Sequence, residues 1–213
     1  MIITHHGVDF FKVSFGDITL AVNPISKDSK YKSSRFGSDI TLISLIDSPE
    51  HNGSDATSRG DKESFIISGP GEYEVSGIFI KGYATSSEYG GQKRINTIYS
   101  VNLEGMNLCF LGAMLDEKIP EKMTEEMDSM DVLFVPIGGD GVLSPSLARK
   151  IAVQFEPKII IPSHFEGIGD DKALKTFLKE AGAEKAEEMD KLTLKKKDLE
   201  GRGGDIMIIT SSV

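Results

Sequence analysis

Four histidines and one cysteine carry all the imidazole and thiol chemistry available to this chain of 213 residues. His5 and His6 are adjacent, His51 follows Glu50, and His164 follows Ser163; no histidine lies between the last two. Imidazole nitrogens combined with carboxylate oxygens are the donors that divalent transition ions prefer, so clustering of these residues in space would mean metal chemistry. Neighbouring side chains in a strand point to opposite faces, so at most one of His5 and His6 can face a given cleft. Cys109 sits inside the apolar run Leu108-Cys109-Phe110-Leu111 and reads as a buried, inert thiol. Other chemistries find less to work with. There is no Gly-x-Ser-x-Gly nucleophile elbow. Gly138-Gly139-Asp140-Gly141 lacks the Gly-Lys-Ser/Thr ending of a phosphate loop and reads as a turn. Glu72 and Glu74 have the chemistry of a glycosidase pair, but nothing distinguishes them from other surface carboxylates.

The elements that must position these residues begin as strands. Phe10 to Phe15 and Ile18 to Val22 are β-prone runs joined at Gly16-Asp17, a hairpin signal. Ile40 to Ile46 suits a buried strand, and the polar stretch Asp47 to Ser64 reads as one long loop. Strand character returns at Phe65 to Ile67 and Gly77 to Lys81. A second hairpin follows, Thr97 to Leu103 and Met106 to Leu111, turning at Glu104-Gly105. Ile119, Met123, Met127 and Met130 recur at helical spacing and read as a core face. Val132 to Val135 and Ile159 to Ile161 are buried strands. Between them Ser144-Pro145 starts a helix whose apolar face is Leu147, Ala148, Ile151 and Phe155. Leu174, Phe177 and Leu178 mark a helix ending near Gly182, and Leu192 to Leu194 and Ile206 to Ile209 close the chain as strands. Pattern alone reaches one α/β or α+β domain over residues 1–213.

Composition narrows the function classes. A net charge of −9 and a pI near 5.0 set the surface against phosphate backbones, so nucleic-acid binding is not expected. The basic run Lys195 to Lys197 reads as a solvated strand end. One cysteine permits no internal disulfide, which fits a reducing compartment. The N-terminus has no signal-peptide pattern and no segment approaches a membrane span, so a cytoplasmic location is expected. No partner is readable, and a homo-oligomer is compatible with the sequence.

Several segments, taken in order, resemble the metallo-β-lactamase superfamily, and within it the small zinc-dependent hydrolases that include the ascorbate-phosphate lactonase-like proteins. They are Ile3-Thr4-His5-His6-Gly7 with Phe11-Lys12-Val13; Leu20-Ala21-Val22-Asn23-Pro24, where the family has Asp-Pro; and Gly69-Pro70-Gly71-Glu72-Tyr73-Glu74-Val75. Asn96-Thr97-Ile98-Tyr99, Phe110-Leu111-Gly112 and Asp131 to Gly139 follow. The last is Pro157 to Phe165, which resembles the late strand ending in a metal-binding histidine, here His164. The resemblance implies a four-layer αββα sandwich with its site at one edge, on loops that follow strands.

The same resemblance implies a two-metal site built on a His-x-His-x-Asp-His loop, in which paired ions lower the pKa of a bridging water. Counted back from Asn52, Ile46 and Ser48 stand where the leading histidines belong, Glu50 replaces the aspartate, and His51 is kept. Counted from the strand end, Leu45 and Asp47 fall on the histidines, and Pro49 and Glu50 on the Asp-His pair. The first register is preferred because Pro49-Glu50-His51-Asn52 mirrors the family's Pro-Asp-His-Asn. The next histidine falls near Ser86 and Ser87, and the bridging aspartate after Leu-Gly falls on Ala113. Ile46, Ser48, Ser87 and Ala113 therefore mark lost ligands. Glu50, His51 and His164 remain as a candidate single-ion set in the style of a facial triad, with His6 as an accessory candidate. The resemblance so read implies a non-catalytic binding protein without a cofactor. Its alternative is a metal-dependent hydrolase using one zinc or manganese ion on Glu50, His51 and His164.

Overall fold

The structure, a computed structural model, describes residues 1–58, 63–126 and 129–212. The chain runs through β1 (Ile2–His5), β2 (Phe11–Phe15), β3 (Ile18–Val22), β4 (Ile40–Leu42), β5 (Phe65–Ile67), β6 (Gly71–Val75), β7 (Ile78–Ser87), β8 (Arg94–Leu103) and β9 (Met106–Phe110). Helix α1 (Glu121–Glu126), β10 (Val132–Pro136), α2 (Pro145–Phe155), β11 (Ile159–Ser163) and α3 (Ala173–Ala181) alternate next. Then come β12 (Glu187–Met189), β13 (Leu192–Thr193) and β14 (Asp205–Ile209).

The strands form two sheets, ordered β13-β1-β2-β3-β4-β5 and β12-β14-β11-β10-β9-β8-β7-β6. In the second sheet β6 to β9 are antiparallel, and β9, β10, β11, β14 and β12 run parallel. Alternation along each strand sorts the side chains between layers. Val132, Phe134, Ile159 and Ile161 face the first sheet and meet Phe11, Val13, Leu20, Ile40 and Leu42 in the central core. Phe134 joins the sheets, edge-on to Phe11 at 4.8 Å and stacked on Phe110 at 4.1 Å. Leu133, Val135 and Ile160 face the other way, against Met123, Ala148, Ile151 and Phe177 of the helices. Each fully buried side chain of this size contributes roughly 1.5–3 kcal/mol relative to exposure.

All three described helices lie in the cluster on the outer face of the second sheet. The outer face of the first sheet is covered by irregular chain: Phe10, Ala21 and Ile25 pack with Tyr31 and Phe36. Beside them Thr41 donates to Thr57 (3.0 Å), and Ser64 is bonded to Ser38 and Thr41.

Differences from the sequence reading have local causes. The strand expected over 40–46 stops at Leu42 because Ser44 N–H donates to the Asn23 side chain (2.8 Å), which bends the chain away, although Ile43 and Leu45 stay buried. The stretch 47–64 contains a 3-10 turn, Ser54–Ala56, and residues 59–62 lie outside those described. Of the helix expected from Ile119 to Met130, the described residues show α1; Met123 and Met130 are buried as expected, while Met127 lies outside the described residues. Helix α2 starts where expected, with Leu147 N–H donating to the Ser144 hydroxyl (3.4 Å). Cys109 is fully buried and its thiol is pushed up by that burial, away from reactivity.

Candidate metal centre

Three turns at the ends of strands meet at one edge of the sandwich. The first joins β1 to β2. Phe10 N–H donates to Gly7 O (2.8 Å) and His6 N–H to Phe10 O (2.7 Å), while Gly7 and Val8 take left-handed conformations (φ 90° and 53°). That conformation is strained for a β-branched valine. The turn buries Asp9 between the two apolar residues Val8 and Phe10. The second is the loop after β4, where His51 N–H and Asn52 N–H both donate to Ser48 O (3.0 and 2.8 Å). It is seated by Gly53, whose N–H donates to Pro24 O (2.7 Å); a Cβ there would run into the Ile25 backbone. The third follows β11. His164 is left-handed (φ 56°), its N–H donates to Val8 O (2.8 Å), and its carbonyl lies against Gly138, where a Cβ would collide with it.

These turns bring ligand atoms of Asp9, His51 and His164 within 4.8 Å of one another. The Nε2 atoms of His51 and His164 are 3.0 Å apart and the rings are stacked with centroids 5.1 Å apart. All three residues are buried, at 2%, 0% and 1% exposure. Tyr89 lies edge-on to both imidazoles, at 4.9 and 5.8 Å. Its phenol is pushed up by burial and by the nearby Glu50.

The polar shell fixes each member. The Ser48 hydroxyl donates to Glu50 Oε2 (3.1 Å), so at 2.9 Å it accepts from His51 Nδ1–H. That tautomer leaves Nε2 with a lone pair. Asp9 Oδ2 accepts from Asn23 Nδ2 (2.6 Å), and Asn23 is itself held by Ser44 N–H. Burial pushes Asp9 up to about 7 against the hydrogen bonds from Ser163 and Asn23. Burial, then Arg94, lowers His51 to about 3, and burial followed by the neighbouring His51 and His5 lowers His164. Both imidazoles are therefore neutral near pH 7, the form that binds a metal.

Not every residue singled out from the sequence joins this group. His51 and His164 do. Glu50 does not: its carboxylate accepts from Ser29 (3.0 Å) and Ser48, one residue removed from the imidazole. Asp9 takes the carboxylate place. A signal for it was present, since an acidic residue in Val8-Asp9-Phe10-Phe11 must be buried with partners. His6 is engaged elsewhere. Its Nε2 is bonded to Thr4 Oγ1 (3.0 Å), its Nδ1 to Ser34 Oγ (2.8 Å) and Ser212 Oγ (2.9 Å), and its ring packs by Phe10 and Phe36. His5 stacks on Phe11 at 4.7 Å with its nitrogens facing the carbonyls of Ile209 and Val8.

The positions marked as lost ligands have their own engagements. Ile46 is 53% exposed. Ser87 accepts from Tyr89 N–H (3.2 Å), and the neighbouring Ser86 hydroxyl donates to Asp116. Ala113 is fully buried in an apolar cluster with Leu45 and Val142, against which Tyr89 packs, and its N–H donates to Asn96 Oδ1 (2.8 Å).

Two mixed sheets face to face, with imidazoles and a carboxylate gathered where strands end, define a scaffold of the metallo-hydrolase type. The sequence matches the beta-lactamase superfamily domain over residues 2–164, and the chain belongs to that superfamily. Its solved relatives have the metallo-β-lactamase fold. A candidate zinc-dependent hydrolase of that superfamily from Thermotoga maritima is 25% identical, with a TM-score of 0.76 over 98% of this chain and 99% of its own. A candidate metal-dependent hydrolase from Parabacteroides distasonis (18% identity, TM-score 0.63, 84% and 89% covered) shares the fold. So does a metallo-hydrolase from the archaeon Ignicoccus hospitalis (17%, 0.65, 91% and 99%). No curated protein matches the chain.

Proposed function

We propose that this chain is a non-catalytic member of its superfamily, a binding protein that keeps the scaffold without two-metal hydrolysis. One observation carries the reading. Where the family resemblance places the bridging carboxylate there is Ala113, packed with Leu45 and Val142 under Tyr89. Methyl and methylene groups donate nothing to an ion, and a charge inserted among them would have to be desolvated without a partner. The imidazoles that remain are buried beneath the Tyr89 ring, whereas a catalytic centre keeps an open coordination position for water and substrate. The test is to purify the protein from medium supplemented with zinc and manganese, count bound ions, and assay a phosphodiester and a lactone. The expected result is no turnover above the metal-only control. Two ions per chain together with turnover would overturn the reading.

A second reading, a hydrolase working with one ion, is favoured by the convergence of Asp9, His51 and His164. A single ion can polarise a carbonyl or phosphoryl oxygen and supply hydroxide. It requires that Tyr89 swing away to admit substrate, so turnover that appears with one ion per chain and vanishes in His164→Ala would favour it over the first.

A further inference from the structure

We infer that Asp9, His51 and His164 form a rebuilt three-donor site for one zinc-like divalent ion, shielded by Tyr89 and completed by a water, in which the carboxylate comes from the β1–β2 turn instead of the Glu50 loop. The inference deepens the non-catalytic reading and rests on it for the ion's role: a staple between three chain segments rather than a reaction centre.

The donor set is the first argument. Two imidazole nitrogens and one carboxylate oxygen suit zinc or cobalt, and four-coordinate zinc with bonds of about 2.0–2.1 Å sets neighbouring donors roughly 3.3 Å apart. The two Nε2 atoms stand at 3.0 Å, so accepting an ion asks for an opening of only a few tenths of an ångström. The second argument is the shell around the donors. Ser48, itself held by Glu50, takes the proton side of His51 and turns its lone pair inward. Asn23 holds one oxygen of Asp9. Outer partners of this kind orient ligands and are a usual part of metal sites. Glu50 reaches the site only through Ser48, which makes it a positioning residue. The third argument is burial. A carboxylate and two imidazoles with less than 3% exposure each have been brought out of water side by side. Gathering them costs desolvation, which an ion bound to all three offsets.

The ion would join residues 9, 51 and 164, tying the β1–β2 turn and the loop after β4 to the end of β11. Its signature is therefore stability and spectroscopy rather than turnover. The intact protein is stripped with chelator, titrated with zinc and with cobalt, and followed by ion counting, cobalt absorption and thermal unfolding. We expect about one ion per chain, an intense cobalt band of a four-coordinate site, and a Tm higher by about 5–10 °C at a hundredfold excess over Kd. Asp9→Asn should weaken zinc binding at least tenfold. Glu50→Gln, which keeps an oxygen for Ser48, should weaken it less than threefold. If Asp9→Asn does not fold, His164→Gln decides: an ion bound as tightly as in the wild type overturns the assignment, and binding at least tenfold weaker supports it. A wild-type protein that binds no ion and gains no Tm overturns the site while leaving the non-catalytic reading standing. Two ions with turnover overturn both.

Discussion

Acid should destabilise this protein through His5 before its carboxylates matter. The ring is fully buried against Phe11, and burial lowers its pKa from 6.5 to about 4, the carbonyls of Val8 and Ile209 recovering only part of the shift. The folded value lies below the unfolded one, so between the two it is the unfolded chain that carries the extra proton. The stabilisation is complete above pH 6.5 and is lost as pH falls toward 4. A gap of about 2.5 pKa values at 1.36 kcal/mol each gives a loss of about 2 kcal/mol by pH 5 and about 3 kcal/mol by pH 4. The perturbation is His5→Phe, which keeps the stack on Phe11 but cannot protonate. It removes the single N–H that the neutral ring can donate, while Val8 O keeps the His164 N–H, an offset of about 1–3 kcal/mol that does not vary with pH. Asp9 works in the opposite direction: raised to about 7, it gains a proton on folding and favours the folded state toward low pH. Both proteins carry it, so it cancels in the difference. Urea unfolding of wild type and variant at pH 7, 6 and 5 should therefore show the gap between them shrinking by about 2 kcal/mol from pH 7 to pH 5. Parallel curves would refute the argument, because they would mean that His5 titrates alike in both states.

Three substitutions test the frame around the site. Tyr99→Phe removes a buried hydroxyl that donates to Ile43 O (2.8 Å) and Ile67 O (3.2 Å), and should cost about 1–2 kcal/mol in urea unfolding with no change in m. Ala113→Asp restores the carboxylate that the family resemblance calls for. Set among Leu45 and Val142, it should lower stability by at least about 3 kcal/mol, read as a fall in Tm that added zinc does not reverse. Ser144→Ala deletes the cap of α2 and should cost about 1 kcal/mol by the same thermal assay, leaving the metal content of the protein as it was.

What the sequence made legible was whatever depends on local pattern. The turns at Gly16-Asp17 and Glu104-Gly105, the capped start of α2 at Ser144-Pro145 and the buried runs of β10 and β11 all appear where residue types put them. Elements that tertiary pairing creates were not legible. β6 alternates exposed Glu72 and Glu74 with half-buried neighbours at the sheet edge, and it is a strand because β7 pairs with it from Gly71 to Val75. β12, Glu187–Met189, is likewise a strand by virtue of its pairing with β14. At the site, His51 and His164 were legible because a histidine after Pro-Glu and another closing a buried strand match a family pattern. Asp9 carried only the indirect signal of an acidic residue in an apolar run; no motif ties it to the histidines, and it is the left-handed turn at Gly7 and Val8 that carries it under His164.

That turn would let a metal centre change its donors, as proposed above, without losing its shape. Val8, Asn23 and His164 are all non-glycine residues with positive φ, and they converge: Val8 O receives His164 N–H, and Asn23 holds Asp9. Such conformations cost of order 1–3 kcal/mol each and persist only where surrounding bonds over-determine them. Here the bonds are mostly backbone ones, Asn23 N–H donating to Leu42 O and Ile137 N–H to Ser163 O, joined by Ser44 N–H donating to the Asn23 side chain; none uses a side-chain atom of His51 or His164. The backbone, with the Asn23 side chain, thus holds the three strand ends together. On the proposed reading, Leu45, Ala113 and Val142 fill one half of the edge without loosening the other half, where His51 and His164 face each other and Asp9 stands within reach.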